Sequence, residues 1–116
     1  MDDEQVLREL NVAVGEAENR GDAVWLADHL APRLAFQRAD PLRTVDDAAT
    51  FLGKVRPGGD RVTRVETVQL FGDRAVVTCV VSTGGRDVGN VRLWVRRPGG
   101  DGAPRWPLLG WANEPG

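Results

Sequence analysis

The sequence predicts an α+β domain in which three amino-terminal helices pack on one face of an antiparallel sheet. Three observations carry this. Apolar residues recur at helical spacing through the first half of the chain, from Val6 to Val55. Beyond Pro57-Gly58-Gly59 the period changes to two. Gly72-Asp73 and Gly84-Gly85-Arg86-Asp87 are turns too short to join anything but antiparallel neighbours. Helices first and strands afterwards give a layer of each around one core.

The first helix carries Val6, Leu7, Leu10, Ala13, Val14 and Ala17 as an apolar stripe, with Asp2 or Asp3 as its cap. Gly21 closes it, because glycine enters the left-handed region without a Cβ penalty. Asp22 caps a second helix through Ala23, Leu26, Ala27 and Leu30, which Pro32 ends. Leu34-Ala35-Phe36 reads as a short strand and Gln37 to Arg43 as a polar loop. Thr44 with Asp47 three residues on has the form of a capping box, opening a third helix with Val45, Ala48, Phe51, Leu52 and Val55.

Four strands follow. Arg61 to Phe71 is the first; Arg74 to Thr83, valine-rich and apolar on both faces, is central and buried. Val88 to Arg97 places Val91, Leu93 and Val95 on one face, and Asn90, Arg92 and Trp94 on the other. Pro98 to Pro104 is a glycine-rich loop, and Trp106 to Asn113 is the last strand, with Leu109, Trp111 and Asn113 sharing a face. No internal repeat or linker divides the chain, so residues 1–116 read as a single domain, within the usual domain size.

Composition narrows the function classes. Apolar residues are 41% and charged residues 28% of the chain, a globular balance that excludes general disorder. A net charge of −2 argues against an electrostatic grip on nucleic acid or anionic lipid. Lys54 is the only lysine among many arginines, and Ala, Gly and Val abound, the signature of a GC-rich bacterial coding bias. Cys79 is the one cysteine, which excludes an internal disulfide and a sulfur-rich zinc site; alternating with Val77 and Val81, it reads as a small buried hydrophobe. No metal is expected, and Asp46-Asp47 reads as negative charge in the first turn of a helix. The acidic start Met1-Asp2-Asp3-Glu4 and the lack of a long apolar run predict a cytoplasmic protein without membrane contact. The paired glycines do not link a strand to a helix at phosphate-loop spacing, so neither a nucleotide cradle nor any other cofactor is expected.

The Gly21-Asp22 pair between two amphipathic helices, the run LAPRLAF at 30–36, the helix after a polar loop, and the terminal LLGWANEP at 108–115 together resemble the SnoaL-like and ketosteroid-isomerase-like branch of the nuclear-transport-factor-two-like superfamily. The resemblance spans nearly the whole chain. It implies a cystatin-like cone, with the helices packed on a curved antiparallel sheet, a pocket between them for a small organic ligand, and a homodimer through the sheet. The outward Val91, Leu93 and Val95 give that dimer an apolar face.

The resemblance does not carry over every catalytic pattern. The steroid-isomerase tyrosine falls at Val14, its strand acid at about Arg92, and its base near Arg38, with Asp40 two residues on. The epoxide-hydrolase Asp-Arg-Asp set meets Asn90, Arg92 and Trp94, which lack the carboxylates. The SnoaL-like cyclases need one acid/base group. Asp40 and His29 are the candidates here, although Asp40-Pro41 also reads as a turn opener and His29 as a helix surface residue. Arg38 and Arg92 are candidate ligands for a carboxylate or enolate, since a guanidinium offers a fixed fork of donors; ion pairs with Asp40, Glu66 or Glu114 are the alternative. Trp94 and Trp111 are candidate pocket walls as well as candidate core, with Phe36 beside them and Asn113 at the mouth. Trp25 reads as core and Trp106 as an edge or dimer contact. Two functions follow: an accessory enzyme acting on an apolar metabolite, or a dimeric binding module of the same fold.

Overall fold

The structure, a computed structural model, describes residues 2–114, so Pro115 of the terminal motif lies outside the described residues. Helix α1 spans Asp3–Arg20, α2 Ala23–His29 and α3 Ala48–Gly53. The strands are β1 (Leu30–Gln37), β2 (Val45–Asp46), β3 (Val62–Phe71), β4 (Arg74–Thr83), β5 (Arg86–Val95), β6 (Arg97–Pro98), β7 (Pro104–Arg105) and β8 (Leu108–Asn113). Six strands form one sheet in the order β2-β1-β8-β5-β4-β3. The expected meander is there, but β1 pairs parallel with β8, so the sheet is mixed and not purely antiparallel.

Local chemistry explains the ends of α1 and α2. Asp2 caps α1, accepting from Gln5 N–H at 2.8 Å. Gly21 at φ 69° closes it, and the N–H groups of Gly21 and Asp22 donate to the carbonyls of Glu18 and Ala17. Asp22 caps α2 through Trp25 N–H at 3.0 Å.

Two boundaries differ from expectation. Helix α2 stops at His29 and β1 begins at once, making a longer strand than 34–36. Pro32 biases the residue before it toward extended backbone, and its missing N–H falls where the β1–β8 register shifts, between Leu30 and Ala35. Thr44 does not open α3. Asp40 accepts from both its N–H (2.8 Å) and its hydroxyl (2.6 Å). Val45–Asp46 therefore pairs with β1, and Asp47 becomes the cap, accepting from Thr50 N–H at 2.8 Å.

Strand β4, expected to be central and buried on both faces, lies one place in from the β3 edge and only one of its faces is fully buried: Ala75, Val77, Cys79 and Val81 point into the core while Val76, Thr78 and Val80 are half-exposed. Register shifts between Val65 and Thr67 in β3, and at Leu109 opposite Leu93 and Trp94, bend the sheet. The second re-aims β8. The extra residue lets Leu108 and Trp111 both turn inward, whereas strict alternation would pair Leu109 with Trp111. Trp106, expected at an edge or dimer contact, is 4% exposed and belongs to the core, and Val95, expected outside, is also buried. The loop 98–104 is bracketed by the small β6–β7 ladder.

Candidate functional site

The site begins on α1. Its buried face carries Leu7, Asn11, Val14, Ala17 and Glu18, so two polar residues fall on an otherwise apolar stripe. Opposite them, alternation along β5 aims Asn90, Arg92 and Trp94 inward. Cross-strand pairing sets Arg92 beside Trp111 and Asn90 beside Asn113.

Arg92 lies at the centre and is fully buried. Its Nη1 donates to the Asn11 carbonyl oxygen (3.0 Å) and to Asn11 Oδ1 (3.2 Å), and its Nη2 to Asn90 Oδ1 (3.1 Å). The guanidinium carbon stands 4.8 Å from the centroid of the Trp111 ring. Burial pulls the Arg92 pKa down, but a guanidinium stays charged in proteins. The same asparagines hold the indoles: Trp94 Nε1 donates to Asn11 Oδ1 at 3.2 Å and Trp111 Nε1 to Asn90 Oδ1 at 2.7 Å. Among the described residues, Arg92 Nε and the buried Oδ1 of Asn113 have no hydrogen-bond partner.

This cluster faces a cavity of about 520 Å³. Phe36, Trp111, Val81 and Val88 supply apolar wall, and the exposed Gly84 and Arg86 mark its mouth. The charged lining is Arg38, Arg61, Arg86 and Arg92 against Glu18 and Asp40, an excess of positive charge in a chain that is negative overall. A smaller cavity of about 160 Å³ lies beside it, and Glu18, Arg38 and Arg61 line both.

Of the two acids lining the cavity, Glu18 is the one whose pKa is raised. Burial pushes its carboxyl above the ordinary value, against the opposing pull of Arg61, Arg92 and Arg38. Arg61 Nε pairs with it at 3.3 Å. A reciprocal clamp places Arg61: its N–H donates to Asn19 Oδ1 and Asn19 Nδ2 donates to its carbonyl, both at 2.9 Å.

The residues singled out in the sequence separate into groups. Phe36, Arg38, Asp40, Arg92, Trp111 and Asn113 all border the main cavity. Trp94 does not; it is core, held by Asn11. Arg38 pairs with Asp46 at 2.5 Å, so Asp46 is an ion-pair partner on β2 and not part of a helix's first turn. The Asp40 carboxylate is held by the Thr44 hydroxyl and N–H, which keep its pKa below the ordinary value, the opposite of what a general acid at neutral pH needs. His29 stacks on Trp25 at 3.8 Å and donates from Nδ1 to the Trp25 carbonyl at 2.7 Å. It borders a different cavity, with Asp28, Arg105 and Trp106. Asn11, Glu18 and Arg61 are the site residues that sequence reasoning missed. The signal was present for the first two, as polar residues in phase with the α1 stripe; nothing local marked Arg61.

No protein-family model matches the chain, and no curated protein matches it in sequence. Solved structures do match. An NTF2-like protein from Cytophaga hutchinsonii superimposes with a TM-score of 0.83 at 16% identity, over 99% of each chain. An NTF-2 like protein of unknown function from Silicibacter pomeroyi gives 0.75 at 13% identity, over 96% of this chain and 95% of that one. The CaMKII hub of S. rosetta gives 0.71 at 20% identity, over 95% and 94%. The chain therefore has the nuclear-transport-factor-two-like fold, and the resemblance read in the sequence holds at the level of fold. Fold alone does not bring a function with it.

Proposed function

We propose that this protein is a small-molecule-pocket protein of SnoaL-like type that binds an organic ligand between α1 and the inner face of the sheet. The observation that carries the reading is the cavity of about 520 Å³, within the usual range of ~300–1,000 Å³ for ligand sites, lined by the Trp111 and Phe36 rings and reaching a fully buried arginine. A plain core would be filled there. Binding is favoured over catalysis by Asp40 or His29, since the first is held in a turn and the second borders another cavity. One observation favours a catalytic role all the same: Glu18, whose raised pKa suits proton exchange with a ligand in the same cavity. A native mass spectrum of gently purified protein is the test. Retained small-molecule mass supports the reading, and loss of that mass in a Trp111→Ala, Phe36→Ala variant ties it to this cavity. Bare protein, together with no binding from a library of apolar metabolites, overturns it.

The protein works as a homodimer through the outer sheet face. Cross-strand rows Val76–Leu93–Gly110 and Thr78–Val91–Ala112 form an apolar surface there, with Val91 41% exposed. A cytoplasmic setting is part of the same proposal. Among the described residues no helix is long and apolar enough to cross a membrane.

A further inference from the structure

Arg92 is a buried cation whose hydrogen-bond partners are all neutral; Glu18 acts on it only at longer range. Its contacts go to a backbone carbonyl and two asparagine side-chain oxygens, and it takes part in none of the ion pairs among the described residues. A desolvated charge without a counter-ion is costly, and chains ordinarily place a carboxylate beside it. Here the two carboxylates of the cavity are engaged elsewhere, Glu18 with Arg61 and Asp40 with Thr44. Nε, a donor of that same buried group, is left without a partner, and Arg92 borders the cavity. The Trp111 ring lies against the guanidinium, and Trp111 also lines the cavity.

We infer that the ligand is a carboxylate with a flat apolar body: its carboxylate completes the ion pair Arg92 lacks, accepting from Nε, while its body lies along Trp111 and Phe36. The inference rests on the pocket reading above and narrows it to one chemical class. The free Nε is a charged donor, and a charge-assisted bond to a buried guanidinium is stronger than its neutral equivalent.

The test compares 3-phenylpropanoate with the isosteric neutral 3-phenylpropanamide, followed by the indole N–H resonance of Trp111 in the full chain. The carboxylate is expected to bind at least about tenfold more tightly than the amide. The preference is expected to vanish in Arg92→Met. In Asn11→Asp the new carboxylate sits beside Nη1 and supplies the counter-ion internally; the preference is expected to vanish there too, which keeps the test open should Arg92→Met fail to fold. Equal binding of acid and amide overturns the inference and leaves the pocket reading standing. A carboxylate preference unchanged in Asn11→Asp and in any folded Arg92→Met overturns the assignment to Arg92. Neither compound moving the Trp111 resonance up to its solubility limit overturns both readings.

Discussion

Arg92 on β5 and Asn11 on α1, 81 positions apart in the chain, are joined by two hydrogen bonds from one nitrogen, to the Asn11 carbonyl at 3.0 Å and to its Oδ1 at 3.2 Å. The contact fastens helix to sheet where the core gives way to the cavity. The same Oδ1 also accepts from Trp94 Nε1, and Cys79 Sγ approaches it at 3.9 Å. One asparagine thus organises the inner wall.

Asn11→Leu is expected to destabilise the protein by about 1–3 kcal/mol, because it leaves the Trp94 indole N–H without its acceptor and removes one of the three acceptors of the buried guanidinium. Urea unfolding measures this. A loss below about 1 kcal/mol would show that the network is replaceable by water.

Glu18→Gln is expected to change how stability depends on pH. Burial raises the folded pKa of Glu18 above its ordinary 4.5, so its contribution is fully present below that value and is lost as pH rises through the folded pKa. The glutamine variant does not titrate. The parent should therefore lose stability relative to the variant as pH rises from 4.5 through the folded pKa, and the difference should level off above it. Denaturation midpoints across mildly acidic to neutral pH check the sign; a difference that does not vary with pH contradicts the assignment.

Asp46 should show the reverse trend. Burial acts to raise its pKa, but hydrogen bonds from Arg38 and Lys54 outweigh this and hold it below 3.8. Its contribution is present above the ordinary value and is lost as pH falls through the folded one. Asp46→Asn is expected to flatten the acid limb of the stability curve while lowering stability at neutral pH.

Gly21→Ala is expected to cost about 2–4 kcal/mol. The residue sits at φ 69°, and a Cβ there would lie 2.7 Å from the backbone nitrogen of Pro57, which cannot swing aside as a side chain can. Thermal or urea unfolding reads the loss.

Val91→Glu places a charge on the outer sheet face; if the proposed homodimer forms there, the variant is expected to be a 12.6 kDa monomer with its stability nearly unchanged. Light scattering is the measurement. A parent that is already monomeric removes the dimer proposal.

Much of this fold was legible because its signals are local. Period-two patterning located β3, β4 and β5, and Asp22 and Gly21 marked the boundary of α1 and α2. What escaped depends on contacts distant in sequence. The parallel seating of β1 against β8 has no local pattern, and the bulge at Leu109 reverses an alternation that reads cleanly as letters. Asp40 resembled an acid/base candidate because composition does not reveal that Thr44 is its partner. Arg92 and Trp111 were found since strand alternation alone aims them inward; Asn11 and Glu18 were passed over since a helical stripe is read for its apolar members.

Strand β8 follows every other described strand in the chain, yet it occupies an interior place in the sheet, between β1 and β5. Within the sheet the earlier strands therefore fall into two paired groups, one bearing Phe36 and the other Asn90 and Arg92, which β8 joins. Only docking of the final strand fuses the groups, a non-local step that slows folding. The same strand carries Trp111, so the step that closes the sheet is also the one that supplies the indole wall of the cavity.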